Sequence, residues 1–110
     1  MKNQKSEAQI MRECLCWLQH QYFCRAWRAN TGVAKIGERF IHFGLPGQAD
    51  ITGILRDGRR LEVEVKTAIG KQSDKQKQFQ ETIEKFGGVY FLVRSLNDLI
   101  SKFEGVKKNV

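Results

Sequence analysis

Residues 49 to 67 read ADITGILRDGRRLEVEVKT. Leu61, Val63 and Val65 alternate with Glu62, Glu64 and Lys66. Period-two alternation is the mark of a strand, and Asp57-Gly58 between two such runs marks a hairpin. One face of the second strand is therefore apolar, and the other carries two carboxylates and an ammonium in a row. The plain reading of such a face is a solvated one. The length of the turn decides more. A two-residue turn at Asp57-Gly58 sets Arg56 opposite Arg59, and so Asp50 opposite Val65. Asp50 and Glu64 then fall on opposite faces. A three-residue loop, Arg56 to Gly58, ends in a left-handed glycine and sets Leu55 opposite Arg59. Asp50 then stands opposite Glu64, with Cβ atoms roughly 5 Å apart.

The other elements follow from periodicity and caps. SEAQIMRECLCWLQHQ, residues 6 to 21, reads as a helix with Ser6 and Gln9 as a capping box. Ile10, Cys14 and Leu18, with Met11 beside them, form its apolar stripe, and Glu7 lies on that stripe. YFCRAWRAN (22–30) reads as a strand, TGVAKIG (31–37) as a glycine-bounded loop, ERFIHF (38–43) as a strand and GLPG (44–47) as a turn. SDKQKQFQETIEKFGG (73–88) is a helix capped by Ser73 and stopped by Gly87-Gly88. VYFLV (89–93) is apolar throughout, as for a strand buried on both faces. SLNDLISKF (95–103) closes the chain as a short helix with Ser95 and Asp98 as a capping box, and GVKKNV is expected to fray. The order α-β-β-β-β-α-β-α gives an α/β fold with a mixed central sheet flanked by helices.

A chain of 110 residues, 41% of them hydrophobic, fits one domain spanning 1–110 with one core. No apolar run approaches the ~20 residues of a membrane span. The polar start, MKNQKSEAQ, has no signal segment, so a cytoplasmic protein is expected. Cys14, Cys16 and Cys24 are an odd number without CxxC spacing, which fits free thiols better than disulfides or zinc. His20 and His42 have no partner at ligand spacing. The net charge of +7 favours a polyanionic partner, nucleic acid first.

Three further residues bear on the charged strand face. Asp50 and Glu64, if opposed, repel each other, and a divalent cation would resolve the conflict. A carboxylate on an apolar helix stripe is costly, so Glu7 either answers the helix dipole or reaches the same cation. Gln76 shares a face of the second helix with Phe79, Ile83 and Phe86, where an amide is a boundary residue or aims at the site. Oxygen donors alone, with the Val65 carbonyl added, select Mg2+ or Mn2+ over zinc. Lys66, one pleat on, can orient water and stabilise developing negative charge. An acidic metal site on a basic protein points to phosphodiester hydrolysis.

GQAD (47–50) followed by a hairpin and EVK (64–66) resembles the pattern of the PD-(D/E)XK nuclease superfamily. Together with SEAQI, RANTGVAKIGERFIHFGLPGQADITGIL, EVKTAIGKQSDKQKQF and GGVYFLVRSLNDL, it resembles a stand-alone VRR-NUC (virus-type replication-repair nuclease) domain over nearly the whole chain. The resemblance implies a restriction-endonuclease-like core. It makes Asp50 and Glu64 the central metal ligands with the Val65 carbonyl, Glu7 a helix-borne acid near the metals, Lys66 the catalytic lysine and Gln76 the glutamine of the following helix. Ala49 stands where the family often has proline before the aspartate, which affects the backbone and not the chemistry. Glu62 has no role in the pattern and is expected to be supporting or solvated.

The family occurs in phages, in bacteria and in eukaryotic repair nucleases. Its small members resemble Holliday junction resolvases acting as homodimers, and a dimer suits the near two-fold symmetry of a four-way junction. Trp17, Tyr22, Phe23 and Trp27 cluster in sequence, mostly as core residues, and any exposed subset is the interface candidate. Arg28, Lys35 and Arg39 are candidate phosphate contacts, with Asn30 a polar contact and Gly32 and Gly37 allowing close backbone approach. Lys71, Lys75 and Lys77 are weaker candidates. The leading expectation is a Mg2+- or Mn2+-dependent endonuclease on branched DNA in a bacterial or phage-infected cell. Other possibilities are a nuclease-fold DNA-binding module without chemistry, or a superfamily nuclease acting on flaps or duplex DNA. No glycine motif for a nucleotide cofactor and no acyl-transfer nucleophile is present.

Overall fold

The computed structural model describes residues 4–29 and 32–107. Helix α1 (Glu7–Gln19) is followed by β1 (Cys24–Arg28), β2 (Gly32–Ile36), β3 (Arg39–Phe43), β4 (Ile51–Leu55) and β5 (Arg60–Val65). Helix α2 (Asp74–Lys85), strand β6 (Val89–Val93) and helix α3 (Leu96–Lys107) complete the chain. Four strands form a mixed sheet in the order β1-β4-β5-β6, antiparallel except for the parallel β5–β6 pair across α2.

The β4–β5 hairpin takes the three-residue loop. Gly58 has φ +94°, the Leu55 N–H donates to the Arg59 carbonyl at 2.8 Å, and Ile51 pairs with Val63. Continued by one residue, that register sets Asp50 opposite Glu64.

Period two divides the sheet into two faces. On one, Leu61, Val63 and Val65 meet Ile51, Leu55, Val93 and the buried residues of α1 (Ile10, Met11, Cys14, Leu18) and α3 (Leu99, Phe103). Phe103 packs edge-on or tilted against Phe23, Phe91 and Trp17. On the other face, α2 seats Phe79 and Ile83 against Tyr90 and Ala49. This helix does not reach the β1–β4 half, where Trp27 and Ile54 stay exposed.

Four expectations are corrected. TGVAKIG contains a strand: β2 pairs with β3 through a tight turn in which Gly37 has φ +62°. The described order is therefore α-β-β-β-β-β-α-β-α, one strand more than the sequence reading. VAKI carries no period-two pattern, and on the ribbon it forms Ile36, Phe40 and Ile41 are exposed. Strand β6 is an edge strand, so only Tyr90 and Val93 are buried. Helix α3 runs past Phe103 to Lys107, so GVK of the expected fraying tail is helical, while residues 108–110 lie outside the described residues. The Ser95–Asp98 capping box is half formed: the Ser95 hydroxyl accepts the Asp98 N–H at 3.0 Å, but the Asp98 carboxylate accepts the Arg94 N–H, also at 3.0 Å, instead of that of Ser95.

Candidate active site

The charged face of β5 is not solvated. Glu62 is 0% exposed and Glu64 2%, as deeply placed as the valines between them. Burial in a mixed sheet under α2 withdraws water from both carboxylates, and each must find donors from the protein.

Glu64 finds two. Gln76 donates from Nε2 to Glu64 Oε2 at 2.9 Å, and Lys66 Nζ lies 3.5 Å from the same oxygen. Gln76 is itself pinned, because its Oε1 accepts the Ser73 N–H at 2.8 Å while the Ser73 hydroxyl accepts the Gln76 N–H. The capping box that starts α2 thus aims the amide at the carboxylate, so one residue serves both the helix end and the site. Glu64 Oε1 is buried without a partner. Burial above all, and then the charge of Asp50, push the Glu64 carboxyl up to about 7, against the opposing pull of Lys66. Glu7 adds a smaller push in the same direction.

Asp50 precedes β4 and is half-buried. Its Oδ2 accepts the Val65 N–H at 2.7 Å, and its carbonyl accepts the Ala29 N–H at 2.9 Å. These bonds tie the aspartate across the strand ends to the residue that follows Glu64. A pocket of about 280 Å³ opens here, lined by Glu7, Arg28, Gln48 and Asp50 among others. A larger groove of about 580 Å³ runs along α2 beside Leu45 and Phe86, but it is mostly apolar and holds no carboxylate.

The structure therefore gathers Asp50, Glu64, Lys66 and Gln76, with Glu7 and Arg28 at the adjoining pocket. Among the described residues, no three His, Cys, Asp or Glu side chains are grouped to hold an ion by themselves. Glu7, exposed on the first turn of α1, lines the same pocket as Asp50, and its charge reaches Glu64. Asp50, Glu64 and the Val65 carbonyl offer oxygen donors, with the Glu7 carboxylate at the adjoining pocket. The orphaned Glu64 Oε1 is the observation that fits a cation, since a buried bare carboxylate oxygen is costly without one.

Lys35 and Arg39 are exposed on the β2–β3 ribbon, away from that pocket, with Lys35 Nζ 5.8 Å from the Phe40 ring centre. Asn30 lies outside the described residues. Of the aromatic cluster, Phe23 is in the core and Trp17 packs against it, whereas Tyr22 and Trp27 are 68% and 53% exposed. All three cysteines are free thiols.

Sequence reasoning missed the partners of Glu62. Its Oε2 accepts the Thr52 hydroxyl and lies 2.8 Å from Arg60 Nε. Thr52 is the registered partner of Glu62, so the three-residue loop that opposes Asp50 and Glu64 also predicts this pair. It also missed Arg94, whose guanidinium donates to the Thr67 and Gly70 carbonyls at 2.6 and 2.7 Å. Nothing local in the sequence marks that bond, which spans 24 to 27 residues.

Neither protein-family models nor curated proteins give a match to this chain. No described helix is long and apolar enough to cross a membrane.

Proposed function

We propose that this chain is a Mg2+- or Mn2+-dependent DNA endonuclease of the PD-(D/E)XK type, organised like a VRR-NUC domain. It acts in the cytoplasm, as a homodimer, on branched DNA such as a four-way junction. One observation carries the reading. Asp50 and Glu64 are brought together at the ends of β4 and β5 with Lys66 beside them, and one Glu64 oxygen is buried without a partner.

Asp50, Glu64 and the Val65 carbonyl would hold the ion, with Glu7 near it. When bound, the ion supplies positive charge against the phosphate under attack and acidifies the attacking water. Lys66 orients the water and opposes the negative charge that develops on the phosphate. Gln76 fixes the Glu64 rotamer through its bond to the helix cap, and the Val65 N–H fixes Asp50. Arg28 at the adjoining pocket is suited to a phosphate contact, and the +7 net charge gathers the polyanion.

The test is direct. Purified protein is incubated with four-way, flap, duplex and single-stranded DNA, with Mg2+, Mn2+ or EDTA. The expected result is metal-dependent paired nicks confined to the four-way substrate. Tight DNA binding without cleavage in either metal would replace this reading with that of a DNA-binding module.

A further inference from the structure

The segment that joins Lys66 to α2 begins with a tight turn, Thr67-Ala68-Ile69-Gly70, closed by the Gly70 N–H donating to the Thr67 carbonyl at 3.2 Å. Arg94, just beyond β6, locks it: one guanidinium nitrogen donates to both carbonyls that end the turn. The Arg94 backbone is held in its own place by the Asp98 carboxylate at the start of α3. Gly70 lies against the Lys66 side chain, since a Cβ on it would sit 3.4 Å from Lys66 Cβ and Cδ. The turn is thus built onto the catalytic lysine and clamped from a second element.

What the turn presents is Ile69, 84% exposed, the highest value among the exposed large hydrophobic side chains of the described residues. A lone exposed apolar side chain is ordinary on a protein surface. This one stands at the tip of a turn fixed by two charge-assisted bonds, and it contributes almost nothing to the core. Its Cα lies within about 10 Å of the Lys66 Cα, the reach of three residues and about three base steps along DNA. Lys71 follows the turn directly in sequence, and the Arg94 guanidinium is bonded to the turn's two end carbonyls, so positive charge adjoins the turn on both counts.

We propose that Ile69 is an apolar wedge that enters a DNA base step beside the cut and sets the preference for branched substrates; this rests on the nuclease reading above. Rigid apolar side chains inserted between bases unstack and kink the duplex. Opening a step costs least where bases are already unpaired or unstacked, so a fixed wedge beside the reacting phosphate favours a branch point over continuous duplex. Arg94 is the positioning residue that keeps the wedge from swinging away.

The experiment places 2-aminopurine at successive steps around the branch of a four-way junction and follows its fluorescence on binding in Ca2+, with anisotropy for affinity. Cleavage in Mg2+ of the same junction and of matched duplex is measured in parallel. Wild type and Ile69→Leu should raise the fluorescence at one step by at least about threefold. Ile69→Ala should abolish that rise and lower the junction-to-duplex ratio of kcat/KM by about tenfold, at unchanged Tm and oligomeric state. Arg94→Ala should shift both readouts the same way by a smaller factor. Full fluorescence and full preference in Ile69→Ala would overturn the wedge, as would stacked bases around bound wild type. A change of oligomeric state in Ile69→Ala would assign the side chain to contact between copies and overturn it too. Unstacking without cleavage would sink the nuclease reading alone, and cleavage without unstacking the wedge alone.

Discussion

On one face of β5, Leu61, Val63 and Val65 are each 0% exposed; on the other, Glu62 and Glu64 are 0% and 2% exposed. The burial is equal and the chemistry is opposite. Each apolar side chain contributes about 1.5–3 kcal/mol to folding by leaving water. Each carboxylate costs several kcal/mol by the same move, returned only in part by its donors. The difference teaches that burial on the second face does not serve stability. The two carboxylates also differ from each other. Glu62 is met by a threonine and a surface arginine, whereas Glu64 is met by an amide fixed in a helix cap and by a lysine. Both leave one oxygen without a partner; Glu64 in addition has Asp50 opposite it in the hairpin register, and that charge helps raise its pKa.

The largest expected effect separates the faces outright. Asp50→Asn and Lys66→Ala should each lower cleavage of a four-way junction by at least ~10³, about 4 kcal/mol of transition-state stabilisation, with Tm within a few degrees of wild type. Cleavage by Lys66→Ala at the wild-type rate would remove the lysine from the chemistry. The mirror experiment is Leu61→Ala, which opens a cavity in the apolar face and should cost ~2–5 kcal/mol in urea unfolding. Its cleavage rate per folded molecule should stay near that of wild type. A loss of activity larger than the unfolded fraction would show that the two faces are coupled.

The pH dependence of stability sharpens the contrast. The Glu64 carboxyl has a folded pKa of about 7 against an ordinary 4.5. A raised carboxyl pKa means that the fold prefers the protonated form. Its contribution is full below about 4.5 and is lost as pH rises through 7, and a difference of this size corresponds to about 3 kcal/mol. In EDTA, wild type should therefore lose stability relative to Glu64→Gln between pH 4.5 and 7, followed by urea unfolding at fixed ionic strength. Mg2+ should cancel much of that loss and release protons near neutral pH, because a ligand carboxylate must be ionised. Parallel pH profiles for wild type and Glu64→Gln would place the site in water rather than under α2.

What was legible in the sequence followed local rules. The hairpin was readable from Asp57-Gly58, and of its two possible registers the structure takes the three-residue loop, with Gly58 left-handed, which brings Asp50 to Glu64. The start of α2 was readable from Ser73, and Gln76 from its place on the inner stripe. What was not legible depended on contacts distant in sequence. Glu62 was readable only as supporting or solvated, because alternation gives the face and not what covers it. Strand β2 was hidden because VAKI shows no period-two alternation. The edge position of β6 follows from strand order, which apolar content does not encode. The Arg94 clamp joins residues from the two ends of the β5–α2–β6 crossover, and no spacing rule reports such a bond.

The smallest expected effect is the most discriminating, because Gln76 belongs to both the helix end and the site. Gln76→Ala removes the cap acceptor and the donor to Glu64 together, so a stability loss of about 1 kcal/mol and a fall in activity are both expected. Gln76→Glu separates them. Its carboxylate can still accept the Ser73 N–H, and negative charge in the first turn of a helix is favourable by ~0.3–1 kcal/mol. It can no longer donate to Glu64, and it sets a third acid against Asp50 and Glu64. Thermal unfolding of Gln76→Glu in Mg2+ should therefore stay near wild type while cleavage falls by about tenfold. If cleavage followed helix stability across both variants, the amide would be a cap and nothing more, and the polar face of β5 would owe its order to α2 alone. If cleavage fell only where the donor is lost, the capping box is the means by which a helix end holds a carboxylate in register for chemistry.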